Sequence, residues 1–525
     1  MSKTVALARL LVAAALTLGA RGQPAGGFSL AGKVVNRVTG APVRYAAVTL
    51  TPTLDEVQTD VAGSFQFSGL KPDYYVLEVS KSGFEKDEGV PVELGASLKD
   101  VVVRLTPLAS IRGKALDTEG EPAEGVIVLA LRSAVTDGKR RNLLAGTAQT
   151  DDRGEYRIAQ LSAGRYLLKA AGRAGLSMYL GDDAPVPNTR EAFAPTYFGG
   201  AHNAASALSL TVQPGAEARA DLSLELQAGR RVRGRIANLN PYNAALLKLL
   251  RGDEDAGLNS SSLHLASGRF EIHGVLDGTY RLRALQVGKE GELLAGEQQV
   301  EVSGGDIDGV VLTLGRGVTI KGIEKPEGPP DESGVRPHST VRLYPQSELV
   351  PDGASGHPFY SAPVNDGEFQ IESLPPGKYR VEVEVEGPGY VSSARAGNTD
   401  LLASPELVLG PGTAPEIEVV LRTDAGGIEG QIALQAMEED SAVALLVPEA
   451  LNRPAETAPV EDSGFFIFQA VPPGAYRLYA WKDFGELEYA DPRVLRALAG
   501  GGTRVEVKPG AVAAVQLQKL SEVWK

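Results

Sequence analysis

The sequence predicts an all-β chain, a string of about five β-sandwich modules behind an N-terminal leader. Three observations carry this. The line Gly63-Ser-Phe-Gln-Phe-Ser-Gly-Leu-Lys-Pro-Asp-Tyr-Tyr-Val-Leu-Glu-Val79 returns four more times, opening at Gly154, Gly268, Gly367 and Gly464, with spacings of 91, 114, 99 and 97 residues. Within each copy apolar and polar residues alternate with the period of two that a half-buried strand needs. The mature chain has no helical period of useful length beyond two weak candidates, at 244–251 and 494–499.

Residues 1–22 read as a secretory signal. Lys3 and Arg9 give a positive start, residues 10–18 an apolar run, and Gly19, Ala20 and Gly22 small cleavage positions. The run is too short for a mature membrane anchor, and Gly22-Gln-Pro-Ala-Gly-Gly27 would break a continuing helix. With no Cys there is no lipid-modified N-terminus. The expectation is an exported protein, periplasmic, outer-surface or extracellular.

Each module then repeats one grammar. A first strand centres on glycine: Gly32, Gly113, Gly234, Gly322 and Gly430. In the first two modules the turns Gly40-Ala-Pro-Val43 and Gly120-Glu-Pro-Ala123 lead into apolar strands at 46–50 and 126–131. The repeated line follows. Its first strand ends on a Leu or Val plug (Leu70, Leu161, Val275, Leu374, Val471), and a Pro, Gly or Asp turn reverses the chain. The next strand opens with Tyr75, Tyr166, Tyr280, Tyr379 or Tyr476, which can bury its ring at a sandwich corner while its hydroxyl bonds backbone. Closing strands lie at 101–105, 220–226, 310–314 and 417–421. Seven or so short strands per hundred residues is a sandwich count. The boundaries read 28–107, 108–226 with an inserted loop at 175–200, 227–315, 316–422 and 423–525.

These residues resemble the carboxypeptidase regulatory-like domain. The first module carries the resemblance nearly throughout: Gly32-Lys-Val34, Gly40-Ala-Pro-Val-Arg-Tyr-Ala-Ala-Val48, Thr59-Asp-Val-Ala-Gly-Ser-Phe-Gln-Phe67 and Leu70-Lys-Pro-Asp-Tyr-Tyr75. It departs at Asp73, where the family usually has Gly. The later modules match the second half well and the first half more loosely. The resemblance implies seven-stranded Ig-like, transthyretin-like sandwiches, found in strings in exported bacterial proteins. It also implies a carbohydrate ligand class, since the fold is grouped with carbohydrate-binding-like sandwiches.

Composition narrows the chemistry. A net charge of −14 argues against nucleic acid, whose binders cluster Lys and Arg against phosphates. Zero cysteine removes disulfide scaffolds, thiolate metal sites and thiol nucleophiles. A zinc carboxypeptidase needs a His with Glu three residues on, and none of the five His has one. No Gly-x-Ser-x-Gly elbow nominates a serine. The turn acids Asp60, Asp151, Asp152, Asp366 and Asp462 offer calcium-friendly oxygens, yet capping a hairpin turn is their simpler job. Lys139-Arg-Arg141 reads as a solvated loop. The chain is therefore expected to be no enzyme, with no cofactor, no metal and no catalytic residues.

Binding is the open question. The insertion at 175–200 carries Met178, Tyr179, Leu180, Phe193, Tyr197 and Phe198 among loop-forming residues, and long loops are where scaffolds place recognition. The alternative is that these aromatics fold back as a satellite cluster. Trp481, beside Tyr479 and Tyr489, is a second platform. The expected ligand-binding residues are thus Tyr179, Tyr197, Phe198, Tyr479 and Trp481, stacking sugar rings if exposed. The leading function is a non-catalytic exported binding or scaffold protein whose partner is a glycan or an envelope protein. A ligand-free spacer would show no aromatic patch, and an enzyme would need a deep polar pocket. Short junctions such as Leu105-Thr-Pro-Leu-Ala-Ser-Ile111 favour a semi-rigid monomeric rod with no integral membrane segment.

Overall fold

The computed structural model describes residues 27–517 apart from 87–88, 137, 173–174, 180–189, 252–253, 256–259, 290, 329–335, 347–349, 352–358, 388, 411–413, 433–441, 462, 482–486 and 499. The leader expected at 1–22 lies outside the described residues. Strands dominate, with one α-helix, Pro492–Leu498, and one 3₁₀ turn, Ala204–Ser206, among the described residues. The helix meets the expectation at 494–499. The other helical candidate, 244–251, is corrected: Ala245–Arg251 is a strand paired antiparallel with Gly278–Val287, and Ala245, Leu247 and Leu249 face the core with the period of two of a strand. None of the described helices is long and apolar enough to cross a membrane.

The chain divides into two compact units. One comprises Met1–Ala130, Ala145–Ala170 and Thr196–Ser223, and opens with the simplest sandwich. There, a three-stranded sheet runs Ser64–Leu70, Phe28–Asn36, Leu98–Leu105, and a four-stranded sheet runs Asp55–Gln58, Ala47–Thr51, Asp73–Ser80, Val90–Leu94. The glycine strand Phe28–Asn36 lies in the middle, antiparallel to Ser64–Leu70 and parallel to Leu98–Leu105. Leu30, Val34, Val48, Leu50, Phe65, Phe67 and Leu77 fill the space between the sheets. The same central arrangement recurs around Ala109–Asp117, Arg230–Ala237, Val318–Glu327 and Gly426–Ile432.

Three local devices explain why the repeated line works. First, each central glycine lies opposite an aromatic: Gly32 pairs with Phe65, Gly113 with Tyr156, Gly234 with Phe270, Gly322 with Phe369 and Gly430 with Phe466. A Cβ on Gly430 would stand 1.9 Å from the Phe466 ring, and one on Gly322 would stand 2.1 Å from that of Phe369. The glycine is the hollow in which the ring lies, so glycine is required by close approach rather than by flexibility. Second, pairing slips by a bulge just before each plug, at Gly69, Gln160, Gly274, Ser373 and Ala470, all with φ between 53° and 78°. The bulge turns Leu70, Leu161, Val275, Leu374 and Val471 into the core. Third, every corner tyrosine is buried and donates its hydroxyl to the carbonyl four residues earlier. Tyr75 reaches Lys71 (3.1 Å), Tyr166 Ser162 (2.5 Å), Tyr280 Leu276 (2.8 Å), Tyr379 Pro375 (2.6 Å) and Tyr476 Pro472 (2.7 Å). Each such bond contributes about 0.5–1.5 kcal/mol net and spares a turn carbonyl from going unpaired.

The second unit comprises Leu131–Leu144, Ala171–Pro195 and Leu224–Lys525. Its buried side chains gather into separate cores within 232–314, 320–421 and 428–517, with a small satellite of Leu445, Val447, Tyr479, Trp481, Leu487, Leu495 and Leu498. Two segments from earlier in the sequence add strands here. Gly175–Tyr179 pairs in parallel with Ser260–His264, extending the sheet that continues through Arg269–Val275, Arg230–Ala237 and Ile307–Thr313. Leu143 and Leu144 pair in parallel with Val350 and Pro351. Residues 139–144 thus meet segments more than 200 positions away.

Candidate binding surfaces

The aromatic platforms expected from the sequence are not presented to solvent. Tyr197 is 4 % exposed: its strand, Thr196–Tyr197, pairs with Gly164–Ala171, and the Lys169 ammonium lies 5.7 Å from its ring centre. Phe198 is half-buried beside it. Trp481 is 1 % exposed and stacks on Tyr479, ring centres 5.2 Å apart and planes 17° from parallel. The segment carrying Leu487, Leu495 and Leu498 covers the pair, and the Tyr479 hydroxyl donates to the Leu498 carbonyl at 2.5 Å. The exposed-platform expectation at Tyr197, Tyr479 and Trp481 is corrected, because each ring is more than nine-tenths withdrawn from water by its own local cover. Tyr179 lies in the added strand Gly175–Tyr179; its side chain, like Leu180, falls outside the described residues.

The insertion at 175–200 is also not simply a loop. Besides Gly175–Tyr179, it forms Glu191–Phe193, antiparallel to Leu226–Ala228. Lys139-Arg-Arg141, read as a solvated loop, is strand, within Lys139–Gln149. Its cations are engaged: Lys139 with Glu406 (3.2 Å), Arg140 with Glu488 (2.8 Å), while Arg141 donates to the Gln346 side-chain carbonyl (3.3 Å). The Gly138 carbonyl accepts from the Ala490 amide. The Asp137-Gly138 dipeptide, flanked by strand-like runs, is the signal that predicts a hairpin tip at this position.

A polar groove of about 770 Å³ opens on the first unit, lined by Arg112, Lys114, Gln149, Tyr156, Arg157 and Arg219, with Glu155 and Asp221 beside them. The cations come from the outward positions of Ala109–Asp117, Glu155–Leu161 and Glu217–Arg219, whose register sets Arg112 opposite both Arg157 and Arg219. Carboxylates neutralise this row. Glu217 takes Arg112 at 3.0 Å and Arg157 at 2.9 Å, and accepts from the Ser110 hydroxyl at 3.2 Å. The Arg157 bond, reinforced by these neighbours, holds the Glu217 carboxyl below its ordinary range. Burial raises Asp221, but the Arg219 and Lys114 contacts outweigh it and leave that carboxyl lowered too. At the floor, burial and the Asp221 charge push the Tyr156 hydroxyl up; it stays protonated and donates to the Ala220 carbonyl at 2.5 Å. The surface offers fixed, alternating donors and acceptors to a polar ligand.

Of the turn acids, Asp60 and Asp151 cap their hairpin turns. One Asp60 oxygen accepts from the Ala62 and Ser64 amides (both 2.8 Å), and one Asp151 oxygen from those of Arg153 (3.0 Å) and Glu155 (2.7 Å). Asp462 lies outside the described residues. Among the described residues no group of three or more His, Asp or Glu is gathered to hold a metal ion.

A site that sequence reasoning missed lies in the second unit, on the outer face of the sheet that receives Gly175–Tyr179. His273 is 2 % exposed, and neither ring nitrogen has a hydrogen-bond partner. Its Nε2 stands 3.4 Å from Glu271 Oε1, the nearest opposite charge. Around it, Arg231 pairs with Asp306 (2.8 Å) and Arg233 with Asp308 (2.6 Å). Burial lowers the His273 pKa below 6.5; the charges of Glu271 and Asp306 oppose that shift, and those of Arg231 and Arg233 add to it.

None of the curated proteins compared matches this chain. Among solved structures, the minor pilin GBS52 of Streptococcus agalactiae is similar at 15 % identity and a TM-score of 0.22, over 38 % of this chain and 96 % of that one. The major pilin subunit BcpA of Bacillus cereus is similar at 10 % identity and 0.16, over 75 % and 99 %. The major pilin SpaD of Corynebacterium diphtheriae is similar at 11 % and 0.13, over 60 % and 97 %. The family comparison is confined to the first sandwich. There, residues 29–106 match the carboxypeptidase regulatory-like domain, the family that the glycine strand, the Gly-Ala-Pro-Val turn and the Tyr75 corner already implied.

Proposed function

We propose that this chain is a non-catalytic, exported scaffold protein, divided into modules at 28–107, 108–226, 227–315, 316–422 and 423–525, that holds a glycan or an envelope protein. The observation that carries the scaffold reading is the recurrence of one self-sufficient sandwich core with strands added from elsewhere in the chain, at Gly175–Tyr179 and at 143–144. Such additions tie sequence-distant segments into one sheet, which suits a load-bearing or display role. With Tyr197, Tyr479 and Trp481 buried, the ligand surface is the polar groove, where Arg112, Lys114, Gln149, Arg157 and Arg219 would bond hydroxyls or acidic groups of a glycan.

The test is retention of residues 23–525 on a panel of insoluble polysaccharides and on solubilised envelope. Saturable glycan retention that drops when Arg112 and Arg157 become Ala supports the groove. Retention of one envelope protein, unaffected by those changes, moves the ligand surface elsewhere while keeping the scaffold. No retention of either leaves a spacer and overturns the binding half of the proposal.

A further inference from the structure

We propose that the turns at one end of the first sandwich form a binding site for an anionic glycan, with Tyr45 as the stacking surface and Arg44 and Lys81 as the cations. The argument starts from two copies of one turn. In the first sandwich the Tyr45 amide donates to the Thr59 carbonyl (2.9 Å), the Ala46 amide to the Thr59 hydroxyl (2.8 Å), and that hydroxyl to the Val43 carbonyl (2.7 Å). In the second, Gly125, Val126 and Ala123 make the same three bonds with Thr150, at 3.0, 2.8 and 2.6 Å. The position that Tyr45 and Gly125 share has positive φ in both, 56° and 75°. Such a backbone favours glycine, and the turn itself has no use for a ring. Nor is the ring packed away, since Tyr45 is 54 % exposed.

The side chains on the two turns differ in charge as well. Ala41, Arg44 and Val61 of the first stand where the second has Glu121, Glu124 and Asp152. Lys81 donates to the Tyr45 carbonyl at 3.0 Å, and its ammonium stands 6.0 Å from the ring centre. Arg37 belongs to the same end, its amide bonded to the Leu105 carbonyl. Among the described residues none of Arg37, Arg44 and Lys81 is held in an ion pair, whereas Arg112, Arg157, Arg231 and Arg233 are each closed on a carboxylate. The described carboxylates of this end are Glu85 and Asp60, the latter turned onto the amides of its own turn. On a chain of net charge −14, this is a cationic surface with an exposed ring in it.

The ring can take the apolar face of a sugar, and the cations beside it that sugar's carboxylate, sulfate or phosphate. The Tyr45 amide and carbonyl are both bonded already, so the turn offers no ladder to an extended peptide. The chain also leaves for the second sandwich from this end, with the Leu108 amide on the Gly83 carbonyl, so no free apex meets a flat lipid surface. The site shares only its ligand class with the polar groove.

The test is therefore run with that groove disabled. Residues 23–525 carrying Arg112→Ala and Arg157→Ala are passed over immobilised polygalacturonate, dextran sulfate and neutral dextran, and mixed with phosphatidylglycerol vesicles. The expected result is saturable retention on one or both charged polymers, none on dextran or vesicles, and loss of most of it at about 0.5 M salt. Tyr45→Gly and Arg44→Glu should each weaken retention about fivefold or more without lowering the unfolding midpoint. Leu54→Gly, at the positive-φ turn beyond the far end of Ala47–Thr51, should leave it intact. Retention on neither charged polymer overturns the proposal; if the chain with its groove intact is still retained, the groove reading stands without this one. Retention that survives both variants overturns it, as does binding to the vesicles in place of the polymers. A lowered midpoint in Tyr45→Gly would make the ring a structural part of the turn, and overturns it too.

Discussion

The first sandwich, 28–105, and the third, 230–313, share the glycine strand, the aromatic laid on it, the bulge and the tyrosine corner, and differ in what lies outside the core. The first closes with seven strands of its own. The third carries an added strand from 175–179, and its outer face holds a row of ion pairs around a buried histidine. The core grammar is common because each device satisfies a local physical demand, such as a hollow for a ring or a donor for a turn carbonyl. The outer face differs because strands contributed from elsewhere answer to no local demand. Individuality in this chain is laid on top of a repeated interior.

The hardest way to break the comparison is to attack what the two share. Gly32→Ala and Gly234→Ala each force a Cβ to about 2.2 Å and 2.1 Å from the carbonyl of Val101 and Val310, with the Phe65 and Phe270 rings close behind. Each should cost more than about 2 kcal/mol by denaturant unfolding; a cost confined to one site would mean that the shared grammar is superficial. Next, replacing Leu176, Met178 and Tyr179 with Gly should lower the stability of 230–313 by roughly 2 kcal/mol, because Gly loses more backbone freedom in a strand and has low strand propensity, and leave 28–105 unchanged. Lowering the pH from 7.5 to 5 should then weaken 230–313 through His273, whose folded pKa lies below 6.5. The first sandwich contains no histidine and should show no loss in that window from this source. Tyr75→Phe and Tyr280→Phe should each cost about 1 kcal/mol, by the same route in both sandwiches. Smallest of all, Asp308→Asn removes the exposed partner of Arg233 and should leave the unfolding midpoint nearly unmoved.

Much of the interior was legible in the sequence, for reasons visible in particular residues. Period-two alternation in Phe65/Phe67 or Phe466/Phe468 needs only neighbours to be recognised, and Tyr-opening strands after a turn announce their own corner. The bulges at Gln160, Ser373 and Ala470 were hidden, because non-glycine residues, which rarely adopt positive φ, were placed there by the pairing around them. The strand at 175–179 was equally hidden, since its partner lies some 85 positions away and its sequence has no strong alternation. Trp481 misled because the sequence shows a ring without showing that Leu487, Leu495 and Leu498 fold over it. Lys139-Arg-Arg141 misled likewise, its partners Glu406 and Glu488 being hundreds of residues away.

The central claim, that 175–179 is a structural strand of the 230–313 sandwich, has a direct measurement because the chain contains no cysteine. Ser177 and Ser262 are register partners in the parallel pair, and adjacent strands lie within disulfide reach. A Ser177→Cys, Ser262→Cys double variant, oxidised at pH 7.5, should form an intrachain bond that joins the two tryptic fragments. Free thiols in the folded protein, or only interchain bonds, would contradict the account.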